Sequence, residues 1–103
     1  MAQTEHSKLK EEIFKRYGCD PRLRLWNSSS GIFFTKTGIP VRIGVPGIAD
    51  ILGIRSDGRL LAIEVKCGAD KLRPEQIAWA GMIKKYNGLF VEARCVEDVE
   101  SIL

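Results

Sequence analysis

The sequence predicts an α/β domain in which helices flank a mixed β-sheet, and three features of the chain support this fold class. Apolar residues recur at helical spacing near its start, two apolar segments around a short turn indicate a central hairpin, and a proline opens a second helical segment. With 103 residues the chain can bury one hydrophobic core but not two. We therefore expect a single domain over residues 1–103, with the element order α-β-β-β-α-β-α.

The first half of the chain combines a helix, a short strand and a long loop. Residues 5–17 are predicted as a helix, and residues 22–26, which alternate polar and apolar side chains, as a strand. An apolar segment at residues 32–34 follows a turn-rich break. Residues 35–47 are rich in Gly and Pro and are interpreted as a loop with at most one short strand, at 41–43. The apolar residues that define the helix are Leu9, Ile13, Phe14 and Tyr17.

The strongest strand signals lie in the middle of the sequence. Residues 48–54 and 59–66 are rich in apolar side chains and are separated by Ser56-Asp57-Gly58, which predicts a hairpin. The remaining predicted elements are a helix that Pro74 opens and Tyr86-Asn87-Gly88 closes, a strand at residues 89–93, and a short helix at residues 96–103.

Composition and charge exclude several classes of protein. The mixture of 45% hydrophobic and 28% charged residues is typical of a folded domain rather than a disordered one. Three cysteines without metal-ligand spacing indicate neither a disulfide framework nor a zinc site. No signal peptide or membrane span is recognisable, so we expect a cytoplasmic protein, of a bacterium or of a phage that infects one. The net charge of +3, with its basic excess in residues 1–66, is compatible with a polyanionic partner.

Two charged residues interrupt the strand predicted at residues 59–66. Because side chains alternate between the two faces of a strand, Glu64 and Lys66 project side by side. Burying an acid and a lysine in an apolar strand is costly unless they are paired, bind a metal or meet solvent in a cleft. Taken alone, the pair is more simply explained by a strand end that emerges into water.

Asp50 makes a functional explanation more attractive, because aspartate is a poor strand former and an unexpected core residue. It interrupts the other apolar strand of the predicted hairpin. If residues 56–58 form a three-residue loop with a left-handed glycine, Arg55 pairs with Arg59 and Asp50 lies directly opposite Glu64. Two carboxylates about 5 Å apart usually share a proton or a cation.

The chemistry of this carboxylate pair favours a hard cation. Oxygen ligands select an ion such as Mg²⁺, which typically binds one or two carboxylates and keeps positions for phosphate oxygens and water. Lys66 beside the pair can steady an attacking water or the negative charge that develops on a phosphate. The three residues therefore predict metal-assisted phosphodiester hydrolysis.

Several motifs along the chain, taken together, are specific enough to indicate a family. They are Gly47-Ile48-Ala49-Asp50, then thirteen residues, then Glu64-Val65-Lys66, then Leu72-Arg73-Pro74-Glu75-Gln76. In this combination nearly the whole chain resembles the VRR-NUC (virus-type replication-repair nuclease) branch of the PD-(D/E)XK superfamily, although Ala49 stands where that family often has proline. The resemblance implies a restriction-endonuclease-like core and a DNA endonuclease that uses Mg²⁺, with Mn²⁺ as a substitute.

The resemblance also implies a role for each residue of the motifs. Asp50 and Glu64 would be metal ligands, the Val65 carbonyl would complete the metal site, and Lys66 would position the nucleophile. Gln76 would support the site from the second helix. Its place in the first turn of that helix agrees independently, because the amide can then point at the sheet.

The family further uses a carboxylate from the first helix. Glu5, near the start of that helix, resembles the family position and is the preferred candidate, and Glu12 remains a rival because it lies near the same helix face. His6 is the only histidine of the chain, which argues against a histidine-based nuclease, and it is expected to be exposed.

The implied substrate is branched DNA, such as four-way (Holliday) junctions or flaps in DNA repair, and the implied assembly is a homodimer. Candidate DNA contacts are Asn27, Ser28, Ser29 and Arg42, although residues 27–30 fit a plain turn equally well. The second helix is apolar on more than one face, so Trp79 and Met82 are candidates for the core or for a twofold interface. The rival functions are a non-catalytic nucleic-acid-binding module with the same fold and a small-molecule phosphohydrolase.

Overall fold

The computed structural model describes residues 4–28 and 31–103, which form two helices, two β-sheets and a final 3₁₀ helix. The elements in chain order are α1 (Glu5–Tyr17), β1 (Leu23–Asn27), β2 (Gly31–Phe34), β3 (Pro40–Ile43), β4 (Ile51–Arg55), β5 (Leu60–Val65), α2 (Pro74–Lys85), β6 (Leu89–Ala93) and the 3₁₀ helix (Val96–Ile102). In the described part of the chain, no helix has the length and apolar character needed to cross a bilayer.

The main sheet has the strand order β1-β4-β5-β6. Its β1–β4 and β4–β5 pairs are antiparallel, whereas β5 and β6 are parallel. A parallel pair needs a crossover connection, and α2 supplies it. The predicted α/β class with a mixed sheet is therefore confirmed.

The predicted element order is wrong in one region. Five strands, not three, separate α1 from α2, because the apolar segment at residues 32–34 and the possible short strand at 41–43 pair as a separate two-stranded sheet, β2 and β3. Residues 35–39 turn the chain back: the Thr35 N–H donates to the Ile39 carbonyl at 2.9 Å, and Gly38 has φ +82°. The Gly and Pro residues that indicated a loop thus form the turn and the flanks of a short hairpin.

Helix α1 covers one face of the main sheet. Thr4 caps its start, since the Thr4 hydroxyl oxygen accepts the Ser7 N–H at 3.1 Å. The helix buries one apolar stripe against the sheet, as the spacing predicted, and the final 3₁₀ helix closes the same core. The buried residues of this core are Leu9, Ile13, Tyr17, Leu23, Ile51, Leu61, Ile63, Val65, Ala93, Val99 and Ile102.

Helix α2 packs on the opposite face of the sheet. Its residues Trp79 and Ile83 bury against Ala49 and Ala62 in a second, smaller cluster. Trp79, a candidate for either the core or a twofold interface, is thus a core residue of its own chain. The outer side of the helix remains apolar and exposed at Ile77, Met82 and Tyr86.

The β4–β5 hairpin has the register that the sequence predicted. Gly58 adopts φ +90°, and the Arg55 N–H donates to the Arg59 carbonyl at 2.9 Å. Pairing then runs from Ile54 opposite Leu60 to Ile51 opposite Ile63. One further step brings Asp50, which immediately precedes β4, opposite Glu64.

The loop that leads to Asp50 lies against the start of α2. Gly47 has φ +78°, and a Cβ atom built on it would lie 2.2 Å from the Glu75 carbonyl oxygen. Only a glycine permits this approach without moving backbone. The contact fixes the position of α2 relative to the strand entry at Asp50.

A Gly47→Ala substitution should destabilise the fold more than Gly38→Ala. Both glycines have positive φ, so each alanine costs about 1–2 kcal/mol for the left-handed backbone. Around Gly38 an added Cβ meets no atom within 4 Å, whereas at Gly47 it overlaps Glu75, which adds about 1–3 kcal/mol of overpacking. Urea unfolding of the two variants measures the difference. If both variants lost the same free energy of unfolding, the close approach of Gly47 to α2 would be contradicted.

Candidate active site

Four residues predicted for the site come together at one end of the main sheet. Asp50, Glu64, Lys66 and Gln76 all line one open depression of about 460 Å³, called here the active-site depression. Its other lining residues are His6, Ile48, Asp70, Lys71 and Arg73. The hairpin therefore provides both carboxylates and the lysine, and α2 provides the amide.

Each carboxylate of the hairpin accepts a backbone N–H from the side of the hairpin that carries the other carboxylate. The Asp50 N–H donates to Glu64 Oε2 at 3.2 Å, and the Val65 N–H donates to Asp50 Oδ2 at 2.9 Å. Gln76 Nε2 donates to Glu64 Oε1 at 3.0 Å. Glu64 is only 4% exposed, so these donors replace the water that its carboxylate loses on folding.

The two carboxylates are electrostatically incompatible when both are charged. The pKa of Glu64 is raised to about 7, chiefly by burial and also by the charge of Asp50 and a hydrogen bond between the two side chains. The charge of Lys66 and the hydrogen bond from the Asp50 backbone oppose this rise. Glu64 therefore holds a proton well above the pH at which an exposed glutamate would lose it. A cation placed between the carboxylates would remove this repulsion.

Lys66 is held close to Glu64 by Gln76. Its Nζ donates to Gln76 Oε1 at 3.0 Å and lies 3.7 Å from Glu64 Oε1, and its side chain is 11% exposed. Gln76 Oε1 also accepts the Arg73 N–H at 2.8 Å, which anchors the amide at the start of α2. The expectation that Gln76 faces the sheet is confirmed. One amide thus connects the helix start, the lysine and the carboxylate.

Helix α1 brings His6 to the active-site depression and not a carboxylate. His6 Nε2 lies 3.2 Å from Asp50 Oδ2, and its side chain is 40% exposed. His6 is thus partly exposed, as expected, but its contact with Asp50 was not expected. His6 lies three and seven residues before Leu9 and Ile13, which are buried against the sheet, so all three share one helix face. This spacing is the signal that could have identified His6 from the sequence.

The two glutamates considered for α1 lie elsewhere. Glu5 and Glu12 both line a separate depression that includes Cys67 and Arg94, and neither lines the active-site depression. Both glutamates are exposed. The structure therefore does not bring the preferred Glu5 or its rival to Asp50, because the buried stripe of α1 fixes the rotation of the helix and turns both glutamates to its flank.

The predicted DNA contacts are distributed over the surface. Asn27 is exposed at the end of β1, and Arg42 is exposed on β3. The Ser28 N–H donates to the Asp50 carbonyl at 3.0 Å, so its backbone braces the strand entry. Ser29 lies outside the described residues.

Two basic residues of the site were not singled out from the sequence. Lys71 and Arg73 are exposed at the rim of the active-site depression, beside Asp70. Both precede Pro74, in the segment whose family motif had drawn attention to Gln76. Lys71 and Arg73 lie just before the start of α2, in the same depression as Asp50 and Glu64. Their place directly before Pro74 is the signal that could have identified them.

The donor groups of the active-site depression suit a hard cation that takes few ligands from the protein. Within residues 4–28 and 31–103, no group of three or more His, Cys, Asp or Glu side chains is arranged to hold one. Asp50 and Glu64 by themselves offer two adjacent carboxylates. Mg²⁺ commonly binds proteins through one or two carboxylates, with water in the remaining positions. The two residues fit Mg²⁺ in that mode, with most of its ligands left to water and substrate.

Without divalent metal, the contribution of Glu64 to the free energy of unfolding should fall as the pH rises from 4.5 to about 7. The pKa of Glu64 is raised from its ordinary value of 4.5 to about 7, so in this range the folded chain keeps a proton that the unfolded chain releases. Glu64→Gln should remove this contribution. Urea unfolding across the range measures the difference between the variant and the original chain.

The matched control is Glu75→Gln, which neutralises an exposed carboxylate in the first turn of α2. This variant should keep the pH dependence of the original chain. A Glu64→Gln protein whose stability changes with pH as steeply as that of the original would contradict the raised pKa of Glu64.

Comparison with known proteins adds no relative to this description. No protein-family model matches the chain, and no curated protein matches it. The functional interpretation therefore rests on the chain's own residues and on the resemblance of its motifs.

Proposed function

We propose that the chain is a metal-dependent endonuclease that hydrolyses phosphodiester bonds in DNA. The observation that carries the proposal is the juxtaposition of Asp50 with the buried Glu64, whose pKa is raised, and with the Lys66 ammonium beside them. Two like charges are costly at this position in a small fold. A divalent cation and a phosphate are ligands that use both the carboxylates and the lysine.

Asp50 and Glu64 would hold Mg²⁺ or Mn²⁺, and the motif resemblance adds the Val65 carbonyl to this set. The bound ion would supply a lowered pKa for its water and electrostatic stabilisation of the phosphate. The chain itself fixes both carboxylates before any ligand arrives, through the N–H groups of Asp50 and Val65. Such preorganisation is what electrostatic catalysis requires.

Lys66 supplies the positive charge that the reacting phosphate needs. Its Nζ is oriented by Gln76 and remains near Glu64, so it can stabilise negative charge on a phosphate oxygen or orient an attacking water. Gln76 acts as a positioning residue, since it connects Lys66 to Glu64. His6 positions Asp50 in the same way from α1.

An extended DNA backbone suits the site better than a small phosphate ester. The active-site depression is open, and its rim carries Lys71 and Arg73, which can bind phosphates on either side of the scissile one. The VRR-NUC resemblance supports the same substrate and favours branched DNA. A twofold homodimer through the exposed Ile77 and Met82 of α2 would present two such sites to one junction.

The first test is a cleavage assay on linear, flap and four-way DNA with Mg²⁺, Mn²⁺ or EDTA. Cleavage that requires the metal supports the proposal. Binding without cleavage in either metal would instead support the rival function, a non-catalytic nucleic-acid-binding module.

Asp50→Asn should abolish cleavage while the melting temperature stays the same or rises. The substitution removes one of the two negative charges that would hold the metal, and it also removes their mutual repulsion. Single-turnover cleavage and thermal unfolding measure the two effects. Asp57→Asn, at an exposed position in the β4–β5 turn, is the control and should cleave normally. An active Asp50→Asn protein would refute the assignment.

Lys66→Ala should lower the single-turnover rate at least about a hundredfold, which is the scale for loss of one electrostatic stabiliser. Affinity for DNA should change much less, because Lys66 is mostly buried beside Glu64 and does not belong to an extended basic surface. The control is Lys85→Ala, at the far end of α2. If the affinity falls and the rate does not, Lys66 anchors a phosphate and takes no part in the chemical step.

A further inference from the structure

The two strands β2 and β3 form a separate ribbon, called here the β2–β3 ribbon (residues 31–43). Its pairing runs from Gly31 opposite Ile43 to Phe34 opposite Pro40. Within the part of the chain that the structure describes, these strands pair with each other and with no strand of the main sheet. An isolated two-stranded hairpin is marginally stable in water, so a ribbon of this kind is expected to gain stability from a partner.

Large apolar side chains are exposed on both faces of the ribbon. Ile32 and Phe34 point to one face, whereas Phe33 and its partner Val41 point to the other. Phe34 is the most exposed of them, at 71%, and Ile39 beside the turn is 59% exposed. Apolar residues on both faces are not explained by packing on the chain's own sheet, which would cover only one face.

The charge of this region complements a polyanion. Residues 31–49 contain Lys36 and Arg42 and no acidic residue. Within the ribbon, Lys36 lies in the turn and Arg42 on β3, and both are exposed. A surface that combines exposed apolar tips with uncompensated positive charge matches DNA, whose phosphates attract the cations while its bases offer apolar faces.

The ribbon begins and ends next to the candidate active site. The chain leaves the main sheet at Asn27, which pairs with Ile51, and returns at Asp50. The Ser28 N–H donates to the Asp50 backbone carbonyl at 3.0 Å, so the two ends of the connection between β1 and β4 meet at the backbone of Asp50. DNA bound at Asp50 would therefore pass the base of the ribbon.

We propose that the β2–β3 ribbon is a DNA-binding arm that recognises unstacked bases at a branch. The inference rests on the proposed nuclease function and specifies the substrate as DNA with accessible base faces. Phe34 and Ile39, which flank the turn, contact the unstacked bases, and Lys36 and Arg42 contact phosphates. A two-stranded ribbon is narrow enough for a DNA groove, and apolar side chains that insert between base steps are a known mode of binding.

The decisive measurement is the affinity for four-way and flap DNA compared with linear duplex, in an Asp50→Asn background that prevents cleavage. Adding Phe34→Ala should weaken binding to branched DNA about fivefold or more, the lower limit for loss of one base stack, and change duplex binding less than about twofold. Phe34→Trp should retain the preference, because tryptophan also stacks. The matched control is Tyr86→Ala: Tyr86 is 74% exposed on α2, and its loss should leave both affinities unchanged.

The salt dependence of DNA affinity distinguishes the contribution of the basic residues of the ribbon from that of its apolar residues. Lys36→Gln combined with Arg42→Gln should lower the slope of log K against log salt by about 1.5, because two phosphate contacts are lost. Phe34→Ala should leave this slope unchanged. The control pair is Lys84→Gln with Lys85→Gln, on the last turn of α2, which should not change the slope.

The results of these experiments distinguish failure of the DNA-binding-arm proposal from failure of the nuclease proposal. If the original chain cleaves DNA with Mg²⁺ but Phe34→Ala keeps the full preference for branched DNA, the arm is wrong and the nuclease stands. Light scattering that shows Phe34→Ala converting a dimer to a monomer would also overturn the arm, because the ribbon would then be an interface between copies. If the original chain neither cleaves nor binds branched DNA, both proposals fail.

Discussion

The register of the β4–β5 hairpin is the constraint on which the candidate site depends. A three-residue loop closed by a left-handed Gly58 places Asp50 opposite Glu64. Because side chains alternate along a strand, a slip of one residue would turn Glu64 and Lys66 to the α1 face and replace them with apolar residues. The same slip would expose Leu61 and Ile63, which form the main core. Burial of that core therefore protects the geometry of the site.

One face of β5 stabilises the fold, and the other face carries the charged residues of the candidate site. The face toward α1 is purely apolar and carries the larger core, which also receives the final 3₁₀ helix. The face toward α2 begins with Ala62 in a small apolar cluster and ends with Glu64 and Lys66. A buried acid of raised pKa destabilises a fold near neutral pH, and the apolar face opposite it offsets that cost. Gln76 and two backbone N–H groups limit the cost further.

Most of the hairpin and of its site could be predicted from the sequence because local rules determine them. Strand alternation places Glu64 beside Lys66, turn chemistry sets the register, and Pro74 starts α2 so that Gln76 lies in its first turn. The contribution of α1 depends instead on how the helix is rotated against the sheet. Its buried stripe sets that rotation and brings His6 to Asp50. The family resemblance indicated a carboxylate there and drew attention away from the stripe.

The sequence indicated an apolar segment at residues 32–34 and a possible strand at 41–43, but their pairing into the β2–β3 ribbon could not be predicted, for a different physical reason. Glycine and proline between short apolar segments are typical both of loops and of hairpin turns, and the pairing of two four-residue strands adds little local signal. A chain of 103 residues has little interior, and residues 31–43 add apolar surface to the exterior of the fold without filling its core. An element that contributes so little to the core, in a connection that returns to the main sheet at Asp50, is best explained by what it contacts outside the chain. Its sequence, basic and free of acidic residues, is the basis on which we propose a partner with negative charge and apolar faces.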